Sequence, residues 1–80
     1  MEWSDLQVFL AAVRAGSYTA AGRQLSINRT TVGRRIDALE ASLGVPLFDD
    51  SPSGPRPTPA GQRLLAAAAT IEHEVAAMQA

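Results

Sequence analysis

The residues best equipped for recognition chemistry fall in one stretch, Asn28 to Gly44, where Arg29, Arg34 and Arg35 supply permanently charged forks of N–H donors and Thr30 and Thr31 supply hydroxyls. Guanidinium groups suit phosphate oxygens and the acceptor edge of guanine, and threonine suits a thymine methyl or a base edge. Covalent chemistry has much less to work with. There is no cysteine, hence no thiolate nucleophile, disulfide or cysteine metal site, and the single histidine, His73, lies between Glu72 and Glu74 with no second imidazole to pair with. We therefore expect no catalytic residue, no metal site and no cofactor, and His73 reads as a solvated surface position.

What positions those donors is a helix. Val32, Ile36, Leu39 and Leu43 recur at i, i+4, i+7 and i+11, which an α-helix gathers into one apolar stripe. Asn28 is a good N-cap and Gly44 a good residue for the left-handed C-terminal cap. At about 100° per residue, Thr30 and Arg34 point away from the stripe, with Thr31 and Gly33 beside them and Arg29 and Arg35 on the flanks. A short helix with an apolar back and a front of arginine, threonine and glycine fits a DNA groove.

Net charge is −1, which taken alone opposes nucleic-acid binding. The distribution matters more. All seven cations are arginine, and Arg14, Arg23, Arg29, Arg34 and Arg35 fall between Asp5 and Asp37 with no acid in the interval. Phosphates respond to charge within about 8 to 10 Å at moderate salt.

The flanking segments read as supporting elements. Trp3-Ser4-Asp5-Leu6-Gln7-Val8 suggests a helix start with Ser4 as cap, Gln7 returning the bond and Trp3 stapled to Val8; Leu6, Phe9, Leu10 and Val13 continue its apolar face to Gly16. Ser17 and Thr19 both suit the cap of a short second helix over Ala20 to Leu25, and Ser26-Ile27-Asn28 is a tight turn with Ile27 in the core. Short helix, turn and polar-fronted helix make a helix-turn-helix. Between Leu47 and Pro57 the turn-forming residues admit either a small hairpin or an irregular loop, since Pro55 and Pro57 each lack a ladder donor but alternate, so both could face outward from an edge strand. Thr58-Pro59 restarts a helix, and Gly61, Leu64, Ala68, Ile71, Val75 and Met78 follow at alternating spacings of three and four, a heptad seam. A helix of some 20 residues spans about 30 Å, so its far half should meet another chain. Eighty residues allow one small domain, and neither a membrane-spanning run nor a signal peptide is apparent; the chain is expected to be cytoplasmic.

In combination, Phe9, Gly16-Ser17-Tyr18-Thr19-Ala20-Ala21, Leu25-Ser26-Ile27-Asn28, Arg34-Arg35-Ile36-Asp37-Ala38-Leu39-Glu40, Leu43-Gly44-Val45-Pro46-Leu47-Phe48 and Thr58-Pro59-Ala60-Gly61 resemble the N-terminal DNA-binding domain of LysR-type transcriptional regulators, over Leu6 to about Leu65 without a gap. The resemblance implies a mainly α, winged helix-turn-helix domain over residues 1–58: a three-helix core, the motif at about 18–37 and a small β wing at about 47–57. A linker and dimerisation helix follows over 59–80. It further implies a prokaryotic, nucleoid-associated transcription regulator. The large effector-binding domain of complete family members is absent from these 80 residues, so no small-molecule effector is expected to bind this fragment.

Where the family usually opens its recognition helix with Ser-Gln-Pro-Ala, this chain has Asn28-Arg29-Thr30-Thr31; the family's serine one turn on is Gly33, and its arginine is kept as Arg34. Basic residues common in the family near Asp50 and Ser53 are replaced by an acid and a hydroxyl, leaving only Arg56, so the wing tip should contribute little. On this reading Arg34 and Arg29 meet bases or phosphates, Thr30 and Thr31 meet thymine methyls or base edges, Gly33 lets the backbone approach, and Arg35, Ser17, Thr19 and Arg56 meet phosphates. Asp37 and Glu40 should hold the second half of the helix off the duplex. Pairing through Leu64, Ala68, Ile71, Val75 and Met78 would make a homodimer that reads a dyad operator in double-stranded DNA. The rival reading is a degenerate winged helix that serves only protein–protein dimerisation.

Overall fold

The apolar periodicities close around two adjoining clusters that α-helices deliver from four directions. The computed structural model describes residues 1–79, in the order α1 (Trp3–Ala15), α2 (Tyr18–Leu25), α3 (Arg29–Leu43), β1 (Phe48–Asp49), β2 (Arg56–Pro57) and α4 (Pro59–Gln79). Ala80, the last residue of the expected linker helix, lies outside the described residues. One cluster joins Leu6, Phe9 and Leu10 of α1 to Leu39, Leu47 and Ala68; the other joins Val8, Ala11 and Ala12 to Ala21, Val32 and Ile36. Phe48 packs against both, with its ring centroid 5.4 Å from Phe9 and 5.9 Å from Tyr18.

Local chemistry sets most of the element ends. Gly16 closes α1 in the left-handed conformation (φ 77°), and Ser17 caps α2 by accepting from the Ala20 N–H at 3.0 Å. Asn28 Oδ1 caps α3 through the Thr31 N–H at 2.8 Å, and Gly44 (φ 73°) ends it. The start of α1 differs from expectation. The helix begins two residues earlier, with Glu2 at the N-cap and no side-chain cap. Ser4 Oγ instead accepts from Arg35 Nη1 at 3.2 Å, a charge-assisted bond of the kind that outcompetes a backbone donor. Trp3 correspondingly packs with the Leu6 cluster, away from Val8.

The hairpin forms, as a pair of two-residue antiparallel strands in which Phe48 faces Pro57 and Asp49 faces Arg56. Leu47, wholly buried, anchors it: its carbonyl accepts from the Thr58 N–H at 3.0 Å and its N–H donates to Glu40 Oε2 at 2.6 Å. Thr58 then ties wing to helix, its hydroxyl donating to the Pro46 carbonyl at 2.8 Å and accepting from the Gly61 N–H at 3.0 Å as the cap of α4. Gly61 is glycine because a Cβ there would collide with the Leu47 carbonyl oxygen.

The heptad seam of α4 is divided between two duties. Gly61, Leu64 and Ala68 pack into the domain's own core, Ala68 with no exposed surface at all. Ala68 is therefore a core residue of this chain, a correction to its expected place in a contact between chains, and Leu64 is partly buried against the same core: the first half of α4 lies on α1 and the hairpin. Ile71, Val75 and Met78 remain exposed at 44%, 37% and 86%. Leu43, expected in the stripe of α3, is also displaced to the surface, because the last turn of the helix runs past the core.

Candidate nucleic-acid interface

Helix α3 separates its two faces sharply. Val32, Ile36 and Leu39 are at most 1% exposed, while Arg29, Thr30, Arg34 and Asp37 on the opposite side are open to solvent. Burying the aliphatic stripe against α1 and α2 fixes the rotation of the helix about its axis, and with it the direction of every donor on the front. Thr31 is half-buried, and both its N–H and its hydroxyl donate to Asn28 Oδ1, at 2.8 and 3.1 Å. Its methyl and a lone pair are what it can present outward. Glu40 does not face outward as expected; its carboxylate turns in to hold the Leu47 N–H, leaving Asp37 as the exposed acid of that face.

The basic interval is less free than its sequence suggests. Folding returns acids to it: Arg14 forms a two-pronged pair with Glu72 at 2.8 and 3.0 Å, and Arg35 lies 3.5 Å from Asp5. Arg56 lies directly across the hairpin from Asp49 and shares a shallow hollow with Asp49 and Asp50. Among the described residues, Arg23, Arg29 and Arg34 make no ion pair. Arg34 shares an open depression with Thr31, Arg35 and Asp5.

A second cleft, of about 340 Å³, joins the start of α2 to the wing: Ser17, Tyr18, Thr19 and Arg29 face Asp50, Ser51, Gly54 and Pro55. The wing backbone comes close to the end of α1 there: a Cβ added to Gly54 (φ 113°) would stand 2.9 Å from the Gly16 carbonyl oxygen. Ser17 and Thr19 thus stand beside Arg29. Tyr18 is the residue that sequence reasoning passed over. Its ring meets Phe48 edge-on and lies alongside Gly33, and its phenol reaches the cleft. Burial, reinforced by Glu40, Asp37 and Asp50 and opposed by Arg29, pushes its pKa up to about 12, so the hydroxyl stays protonated and able to donate to an anion. Its only sequence signal was an aromatic directly after the cap of a small helix.

A buried back, an open guanidinium front and a wing folded beside it are the parts of a winged helix-turn-helix. The profile of the family described as "Bacterial regulatory helix-turn-helix protein, lysR family" matches residues 3–62. The chain belongs to that family. It is 46% identical over 65 residues to the HTH-type transcriptional regulator TfdS of Cupriavidus pinatubonensis, and 42% identical over 65 residues to the Mau operon transcriptional activator of Paracoccus denitrificans, in each case over 81% of this chain. It spans 22% and 23% of the length of these two LysR-family relatives, respectively. Among solved structures, the CbnR DNA-binding domain in complex with DNA superposes with a TM-score of 0.91 at 34% identity, over 99% of this chain and 91% of that one. The BenM DNA-binding domain bound to benA site 1 DNA gives 0.92 at 32% identity, over 98% and 88%. No helix among the described residues is long and apolar enough to cross a membrane, and none of their side chains forms a cluster that could hold a metal ion.

Proposed function

We propose that this LysR-type segment binds double-stranded DNA as a homodimer and serves a cytoplasmic transcription regulator rather than an enzyme. The observation that carries the reading is the two-faced α3: an aliphatic side sealed in the core and, opposite it, Arg29, Thr30 and Arg34 exposed, the two arginines without an acidic partner among the described residues. The first half of α3 enters a major groove, where Arg34 donates to guanine O6 and N7 and Arg29 reaches a base or phosphate from the flank. Gly33 leaves the backbone open to close approach. Ser17, Thr19 and the Tyr18 phenol face the adjoining phosphates across the cleft at the start of α2. Arg35 and Arg56, each beside an acid, add less to that field than a free cation would. Residues 1–58 form the DNA-binding domain, and the exposed half of α4 pairs with a second copy through Ile71, Val75 and Met78, which places two recognition helices on one side of a dyad operator.

The rival, a winged helix used only for dimerisation, rests on the net charge of −1. Salt separates the two readings. Selection of duplexes from a random pool followed by titration at rising salt should give a bound dyad whose log affinity falls by roughly 0.9 per log unit of salt for each phosphate neutralised. In the same assay Arg34→Ala should lose about 1–3 kcal/mol and relax preference at one base pair. Retention of no duplex at low salt would leave the rival standing.

A further inference from the structure

We propose that the Arg14–Glu72 pair is a positioning device that sets the angle between the DNA-binding domain and the dimerisation helix, and so the half-site spacing that the dimer accepts. The inference rests on the DNA-binding reading above.

The pair sits where other constraint on α4 runs out. Apolar packing of α4 on the domain ends at Ala68, the last residue of the helix in the core. Glu72 follows one helical turn later and on nearly the same face. There both of its carboxylate oxygens accept from the guanidinium of Arg14, in the last turn of α1, at 2.8 and 3.0 Å. Two parallel bonds to a planar fork fix an orientation as well as a distance. Beyond Ala68 the large apolar side chains, Ile71, Val75 and Met78, are exposed. The contact therefore lies between the two halves of α4, one held by this domain and the other free for a second copy. Mutual stabilisation is visible in both partners, the Arg14 bond holding the Glu72 carboxyl below its usual range and Glu72 raising Arg14.

Small angles matter here because the arm is long. A swing of about 10° at the junction, acting over an arm of about 20 Å, displaces the recognition helix by roughly 3.5 Å, close to the rise of one base pair. Both side chains are about half exposed, at 49% and 43%, so the pair adds little to stability. Its effect should appear in geometry, as the penalty for changing the spacer between half-sites.

The test uses the 80-residue chain, the variants Arg14→Glu and Glu72→Arg, and the double reversal. Each is titrated against the selected dyad duplex and against versions with the spacer lengthened or shortened by one base pair. The readout is the ratio of affinities between spacers, because Arg14→Glu also changes overall charge and hence absolute affinity. The parent should prefer the selected spacer, each single reversal should shrink that preference by about two- to five-fold, and the double reversal should restore it. Preference left intact by the single reversals, or lost and not restored by the double, would overturn this inference while leaving DNA binding in place. A parent that binds no duplex would overturn the function itself.

Discussion

At the scale of single residues, the acids that folding brings in decide which arginines are available. Arg14, Arg34 and Arg35 look alike in an acid-free interval of the chain, yet Arg14 faces Glu72, Arg35 faces Asp5, and Arg34 remains unpaired among the described residues. Two glycines of the helix-turn-helix differ in the same way. Gly22 lies under the turn, where a Cβ would stand 2.5 Å from the Ile27 carbonyl oxygen, whereas a Cβ on Gly33 would meet only the Tyr18 ring at 3.8 Å, ordinary contact. Gly22→Ala should therefore destabilise the domain, and Gly33→Ala should stabilise it by about 1 kcal/mol through helix propensity. Thermal unfolding should register the second as a rise in Tm of roughly 4–8 °C; a fall would mean that the Tyr18 side of α3 is tighter than the structure indicates. Since the fold has room for alanine at 33, loss of DNA affinity in the more stable variant would assign the glycine to close approach of the duplex.

At the scale of elements, the wing and α4 are joined through one side chain. Thr58 is 7% exposed, and its hydroxyl serves the Pro46 carbonyl and the Gly61 N–H together. Thr58→Ala removes both a helix cap and the donor to the Pro46 carbonyl, so a loss of about 1–2 kcal/mol is expected in denaturant titration. Thr58→Ser keeps the hydroxyl and should lose less than half as much. Equal losses in the two variants would trace the effect to the missing methyl. Leu47, Glu40 and Gly61 complete this junction, which explains how a wing of two short strands holds a fixed place beside Arg29.

At the scale of the whole molecule, the domain leaves one element unfinished. Ile71, Val75 and Met78 continue the spacing of Gly61, Leu64 and Ala68 but have nothing to cover them in a single copy. Val75→Asp tests the pairing cleanly, because the new carboxylate stays solvated in the monomer and would be buried only between chains. Sedimentation equilibrium should show a dimer for the parent and a monomer for the variant, with unchanged helical content. Identical profiles for the two would place the contact elsewhere.

The sequence by itself determined the elements and the two faces of α3. Cap residues such as Ser17, Asn28 and Thr58 act on backbone N–H groups three positions away, and the stripe Val32, Ile36, Leu39 follows from helical period alone, so both are legible in a linear text. The family resemblance was legible for the same reason, being carried by short runs at fixed spacing. Tertiary structure alone decided which charges cancel and which parts of a seam are already occupied. Arg14 and Glu72 are separated by most of the chain, Ser4 gave up its cap to Arg35 of a different helix, and Ala68 vanished into a core that heptad spacing could not distinguish from a partner. Local hydrogen bonds depend on neighbours in sequence, whereas ion pairs and burial depend on neighbours in space, and only the fold supplies those.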